Sequence, residues 1–135
     1  FLSLVGEHLS QDNMNQAIEN ISNDLKVTIN EFTVAGFRED KHFAHHWYLG
    51  CDEPIDKEVA IRKIDEHLKV LNDDYRVERE EALSNLYIDI LPTHVFYDFM
   101  EKTGKIGGAT KFPRVLKGKR YDDWKDYISS MNLEK

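Results

Sequence analysis

The sequence predicts an α+β fold, a mainly antiparallel sheet with helices packed on one or both faces in the split βαβ manner of a two-layer or three-layer sandwich. Three observations carry this prediction. Residues 27–36, 42–49 and 86–91 are short runs rich in β-branched and aromatic residues, the composition of strands. Around them lie segments in which apolar residues recur every three or four positions, the period of an amphipathic helix. The two kinds of segment alternate without a linker, a low-complexity tract or an internal repeat, so the 135 residues read as one small domain.

The elements follow in order. Residues 1–5 have strand character and Gly6 breaks it. Ser10 is a good N-cap for a helix over about 11–25, with Met14, Ala17, Ile18, Ile21 and Leu25 on one face. The runs 27–36 and 42–49 form an antiparallel pair about the polar turn 38–41. Pro54 and Asp56 open the longest periodic segment, where Ile61, Ile64, Leu68, Leu71 and Tyr75 share a face and predict a helix to about Arg79. Residues 86–91 add a third strand to the antiparallel set, closed by Pro92. Thr93 caps a short helix carrying Phe96, Phe99 and Met100, and Gly104 stops it. Tyr121, Trp124, Tyr127 and Ile128 mark one face of a terminal helix whose first turn holds Asp122 and Asp123.

Composition excludes several functions. The longest apolar stretches are a few residues long, too short to cross a membrane. A net charge of −7 argues against nucleic acid, because phosphate contacts need a broad basic face. Cys51 is the sole cysteine, which rules out an intramolecular disulfide and points to a reducing, cytoplasmic setting. Its neighbours Asp52 and Glu53 would raise the thiol pKa, against a nucleophilic role. His42, His45 and His46 lie close together, but strand alternation puts His45 on the face opposite the other two, so no metal site is expected. The acidic run 73–81 reads as a solvated helix end, with Arg79 placed to tie that end to a neighbouring carbonyl or carboxylate. Trp47, Tyr48, Phe96, Phe99, Trp124 and Tyr127 recur at strand or helix spacing and read as core or cover. The chain opens at Phe1 with neither Met nor a charged leader, and is expected to be a domain cut from a longer protein.

One segment reverses the charge of the rest. Residues 99–120 hold seven basic side chains (Lys102, Lys105, Lys111, Arg114, Lys117, Lys119, Arg120) against the single acid Glu101, a local net of +6. Folding does not require such segregation, and it points to an anion that comes to this loop. Gly107 and Gly108 let the backbone approach a ligand, Thr110 and Lys111 follow, and Pro113 stiffens the chain before Arg114. The loop lacks the Gly-x-x-x-x-Gly-Lys-Ser/Thr pattern of nucleotide-binding loops and follows a helix, not a strand. A mobile lysine in this setting is suited to an anionic intermediate such as an acyl phosphate or a nucleotide phosphate. The same loop also suits a non-catalytic α+β interaction module that docks an acidic partner.

The run Gly107-Gly-Ala-Thr-Lys-Phe-Pro-Arg114 resembles the Gln-x-Lys-x-Pro-Arg segment of the auxin-responsive promoter (Gretchen Hagen) family of acyl acid amidosynthetases, with Ala109 in place of the Gln. The likeness extends through Leu71-Asn-Asp-Asp-Tyr-Arg-Val-Glu-Arg79, the strand 86–91, Val95-Phe-Tyr-Asp-Phe-Met100 and the opening Leu4-Val-Gly-Glu-His-Leu-Ser10. It thus covers nearly the whole chain. Thr93-His-Val-Phe96 stands where the family has Gly-Thr-Phe. The resemblance implies that residues 1–135 are the small C-terminal lid domain of a bacterial-type, adenylate-forming ligase that conjugates a carboxylic acid to an amine or amino acid. It further implies that Lys111 reaches the phosphate or acyl-adenylate while Gly107, Gly108, Thr110 and Arg114 shape the loop. ATP and Mg2+ would then be bound mainly by a large N-terminal domain, the partner over which this one swings, and the isolated domain would not turn over.

Overall fold

Ser10 caps its helix as its position predicts. Its Oγ accepts the Asn13 N–H at 3.0 Å while Asn13 Oδ1 accepts the Ser10 N–H at 3.4 Å, a closed capping box that opens α1 (Gln11–Leu25). The computed structural model describes residues 9–104 and 112–131. The strand expected over 1–5, together with Gly107, Gly108, Thr110 and Lys111, lies outside the described residues.

α1 buries Met14, Ala17, Ile18 and Ile21, the face its periodicity marks, and ends at Lys26 in the left-handed region (φ 57°). β1 (Glu31–Glu39) and β2 (His42–Gly50) pair antiparallel from Glu31 opposite Gly50 to Glu39 opposite His42. The turn is tighter than the four residues expected: Asp40 (φ 55°) and Lys41 alone connect the strands. A positive φ at an Asp is what a two-residue hairpin loop asks for.

The long helix expected over 56–79 is two helices. α2 (Lys57–Leu71) starts at Asp56, whose carboxylate accepts the Glu58 and Val59 N–H groups, and α3 (Asp73–Glu81) restarts after Asn72. Asn72 is extended (φ −149°, ψ 113°) and its side chain accepts the Tyr75 N–H at 2.9 Å, so it ends one helix and caps the next. The apolar spacing runs unbroken across the join, which is why periodicity alone missed it.

β3 (Leu83–Leu91) begins earlier than expected and pairs with β2 in parallel, from Phe43 opposite Leu83 to Gly50 opposite Leu91. The expectation of an antiparallel third strand is therefore corrected. α2 and α3 carry the chain back along the sheet before β3 starts, and a helical return of this kind delivers a parallel neighbour. The sheet order is β1-β2-β3. With the antiparallel hairpin and the five helices among the described residues the fold is α+β, as predicted.

Helices cover both faces of the sheet. On one, α1, α2 and α3 meet Phe32, Val34, Trp47, Leu49 and Ile88. On the other, α4 (Thr93–Thr103) and α5 (Gly118–Ser130) bury Val95, Phe96, Phe99, Trp124 and Ile128 against Ala35, Tyr48 and Leu91. The aromatic residues read as core are core, with Tyr127 packed at the margin. Thr93 does not cap α4 with its side chain. Instead Asp52, reaching from the end of β2, accepts the Thr93 N–H at 2.9 Å. α5 starts at Gly118, so Asp122 and Asp123 fall beyond its first turn. No helix among the described residues is long and apolar enough to cross a membrane.

Arg79 ties its helix end down as expected. Its Nε donates to Asp65 Oδ1 at 2.8 Å, its Nη1 reaches the Leu83 and Ser84 carbonyls, and the Tyr75 hydroxyl donates to the same Asp65 oxygen at 2.8 Å. Burial alone would raise the Asp65 pKa, but the bonds from Arg79 and Tyr75 and the Arg79 charge outweigh it and hold the carboxyl below its ordinary value. A group whose pKa is lowered on folding contributes stability above its unfolded pKa, near 4 for aspartate, and that contribution is lost as pH falls through the folded value. Acid unfolding followed by circular dichroism is expected to shift when Asp65→Asn is introduced, with the variant less stable at neutral pH and its stability flatter below about pH 4.

Gly50 marks the closest approach of α4 to the sheet. A Cβ there would sit 2.9 Å from Phe96 Cε1 and 3.3 Å from Glu31 Cβ, and the Phe96 ring is fully buried. Gly50→Ala is expected to cost about 1–3 kcal/mol through overpacking, measured by urea unfolding; an unchanged midpoint would mean that α4 shifts freely.

Candidate functional site

The basic segment is held at both ends. On the N-terminal side α4 stops at Gly104, whose φ of 79° is a conformation glycine adopts without a Cβ penalty. On the C-terminal side Phe112 is buried in an aromatic nest, its ring centroid 5.0 Å from Phe96, 5.0 Å from Trp124 and 6.1 Å from Phe99. Beyond Pro113 the chain runs beside β1. The Val34 N–H donates to the Arg114 carbonyl at 2.9 Å and the Leu116 N–H to the Val34 carbonyl at 3.0 Å, a parallel bridge centred on Val115. This bridge covers the free edge of β1 and anchors the loop exit to the sheet.

Arg114 points inward. Its Nη1 donates to Glu31 Oε1 at 2.6 Å and to the Phe32 carbonyl at 3.1 Å, and its guanidinium lies 4.4 Å from the Phe32 ring centroid. The other oxygen of Glu31 accepts the Tyr97 hydroxyl at 3.0 Å. The Arg114 and Glu31 side chains are 17% and 8% exposed, so water screens their attraction poorly. Burial, with the adjoining Glu31 carboxylate, pushes the Tyr97 hydroxyl pKa up. One carboxylate thus joins β1, the loop exit and α4. Sequence reasoning placed Arg114 at the loop but missed Glu31 and Tyr97. Glu31 lies 83 positions from Arg114, and its one local signal is an acid at the start of a strand whose next four residues are all buried.

The other described basic side chains of the segment are spread around its stems. Lys102 Nζ lies 5.4 Å from the Tyr127 ring centroid, Lys119 pairs with Asp123 at 3.0 Å, and Lys117 and Arg120 are exposed. Lys105 and Lys111 are outside the described residues. An open groove of about 340 Å³ runs between α4 and α5 beside the N-terminal stem, lined by Phe99, Lys102, Thr103, Asp126 and Tyr127 among others.

The histidines separate as alternation predicts. His45 is buried beside Tyr75, His42 is exposed, and His46 faces Asp89 at 2.8 Å, with Lys57 on the other Asp89 oxygen at 3.2 Å. Among the described residues no group of three His, Cys, Asp or Glu side chains is placed to hold a metal. Cys51 is buried, and burial together with Asp52 and Glu53 pushes its thiol pKa up, away from the reactive thiolate.

Comparison with known proteins agrees with this architecture. The family model described as the GH3 family C-terminal domain matches residues 12–120. Among solved structures, the GH3.15 acyl acid amido synthetase superposes with a TM-score of 0.62 at 19% identity, covering 96% of this chain and 26% of that one. The AtGH3.15 acyl acid amido synthetase in complex with 2,4-DB gives 0.68 at 17% identity, covering 93% and 25%. The chain therefore spans about a quarter of the length of these proteins. A search of curated proteins finds no match.

Proposed function

The chain belongs to the GH3 family, whose C-terminal domain it matches, and on that premise we propose that it is the small lid domain of an ATP-dependent acyl-adenylate-forming ligase. In this reading a carboxylate attacks the α-phosphorus of ATP, giving an acyl-adenylate and pyrophosphate. An amine or amino acid then attacks the acyl carbon, forming the amide, losing a proton and releasing AMP. ATP, Mg2+ and the acyl acid are held mainly by a large N-terminal domain. Lys111 brings a positive charge to the phosphate or acyl-adenylate, where it counts most in the transition state. Gly107, Gly108 and Thr110 let the backbone close on the anion. A buried, reduced Cys51 fits a cytoplasmic protein.

The observation that supports this reading best is the anchoring of the basic segment. An exposed connection between helices has no need of an ion pair this deeply buried at its exit or of a nest of three aromatic rings around Phe112, whereas a loop that delivers a charge to a fixed point does. The test is acid-dependent ATP–pyrophosphate exchange by the intact protein across a panel of aliphatic, aromatic and indole carboxylic acids. Exchange with at least one acid, and none from residues 1–135 alone, is expected. Silence of the intact protein with every acid would leave the basic loop as the docking element of a non-catalytic module.

A further inference from the structure

We propose that Glu31 is a positioning residue of this site: its single carboxylate clasps both stems of the basic loop and so sets where Lys111 is delivered. The inference rests on the reading of Lys111 given above and adds to it a residue on a different element. The loop leaves α4 and returns at Phe112. Tyr97, on α4, binds one Glu31 oxygen at 3.0 Å, and Arg114, just past the return, binds the other at 2.6 Å. The clasp stands on the sheet, since Glu31 pairs with Gly50 at the start of the hairpin.

Chemistry explains why a carboxylate is used. Both partners donate to it, and a carboxylate offers each its own acceptor oxygen together with a charge that matches Arg114. Glutamine would keep one acceptor for Arg114 and turn an NH2 group toward the Tyr97 oxygen, which reverses that bond and removes the negative charge that Arg114 pairs with. Stability alone does not account for the arrangement, because burying an ion pair costs desolvation that a well-packed apolar pair avoids. Tyr97 gives the same indication: its residue is 47% exposed and its ring adds little to the core, so its hydroxyl is the part that matters. Displacing a catalytic group by about 1 Å costs roughly 100-fold in rate, so a residue that fixes both stems acts on turnover without touching substrate.

The experiment uses the intact protein carrying Glu31→Gln, Tyr97→Phe or Lys111→Ala, and each of the first two combined with the third. Pyrophosphate exchange is measured with ATP and a turned-over acid, alongside thermal melts. Glu31→Gln is expected to lower kcat about 10- to 100-fold with the KM values for ATP and acid within about twofold, and Tyr97→Phe to lower it severalfold. Neither is expected to cost anything further once Lys111 is alanine, because both act through it. Losses that multiply in the double variants, or a wild-type kcat for Glu31→Gln, overturn the clasp and leave the ligase reading standing. Wild-type exchange by Lys111→Ala overturns both. Should Glu31→Gln fail to fold, Tyr97→Phe decides, since removing one hydroxyl from a half-exposed ring leaves the core intact.

Discussion

Lys111→Ala in the intact protein is expected to lower acid-dependent ATP–pyrophosphate exchange by about 10²- to 10³-fold, the usual cost of removing one preorganised charge or donor from a developing anion. The KM for ATP should change little. On the proposed reading a lysine brought in by a second domain would meet the phosphate as the reaction proceeds, so its interaction would be stronger in the transition state than in the ground state. Charge alone is not expected to carry the effect. Lys111→Arg keeps the charge but replaces a compact ammonium with a broad planar fork, and is expected to recover only part of the rate. Steady-state exchange with saturating acid reads both variants, and a Lys111→Ala enzyme that keeps wild-type kcat would remove the lysine from the mechanism.

Trp124→Ala is expected to be the most damaging substitution for stability, by about 4 kcal/mol. The side chain is fully buried at the centre of the second core. Its ring centroid lies 5.0 to 5.6 Å from those of Tyr48, Phe96, Phe99 and Phe112, so it joins α5 to β2, α4 and the loop exit. A cavity at this point faces four rings that cannot collapse together, since three of them sit on elements fixed by the sheet or by α4. The milder Trp124→Phe is expected to cost about 2 kcal/mol, because it removes only part of the ring system and leaves a smaller cavity. The indole Nε1 is buried without a hydrogen-bond partner among the described residues, so its loss removes a desolvated donor that returned nothing. Urea unfolding of both variants checks the ordering; equal losses would mean that the indole nitrogen is satisfied and is itself important. On the proposed function Trp124 would also bear on turnover, because Phe112 rests on it and a loosened nest would displace the loop exit.

Where the signal is local, the sequence by itself determined a great deal. Ser10 capping α1, the Met14, Ala17, Ile18 and Ile21 face, the pairing of β1 with β2, the stop at Gly104 and the burial of Trp47, Phe96 and Trp124 all follow from residue types within one or two turns of each other. The α+β class follows from these together, and the family follows from motifs spread along the chain. What failed were choices that periodicity cannot make. Asn72 splits a helix without interrupting its apolar stripe, because an asparagine side chain can serve as a cap in the middle of a regular pattern. Alternation along β3 reports that it is half-buried and is silent on its direction, which the length of the helical return decides.

The site divides in the same way. The basic segment and Arg114 stand out in the sequence because like charge concentrated in one window is visible locally. Its anchoring was decided only by the tertiary structure: Glu31, Tyr97 and Arg114 meet because the hairpin, α4 and the segment alongside β1 converge on one edge of the sheet. A lone acid at a strand start carries no mark of the partner it will meet 83 positions later. Capping, amphipathicity and turn geometry are energies between near neighbours and can be read from order, while a buried ion pair owes its strength to a low-dielectric environment that exists only once distant segments have packed.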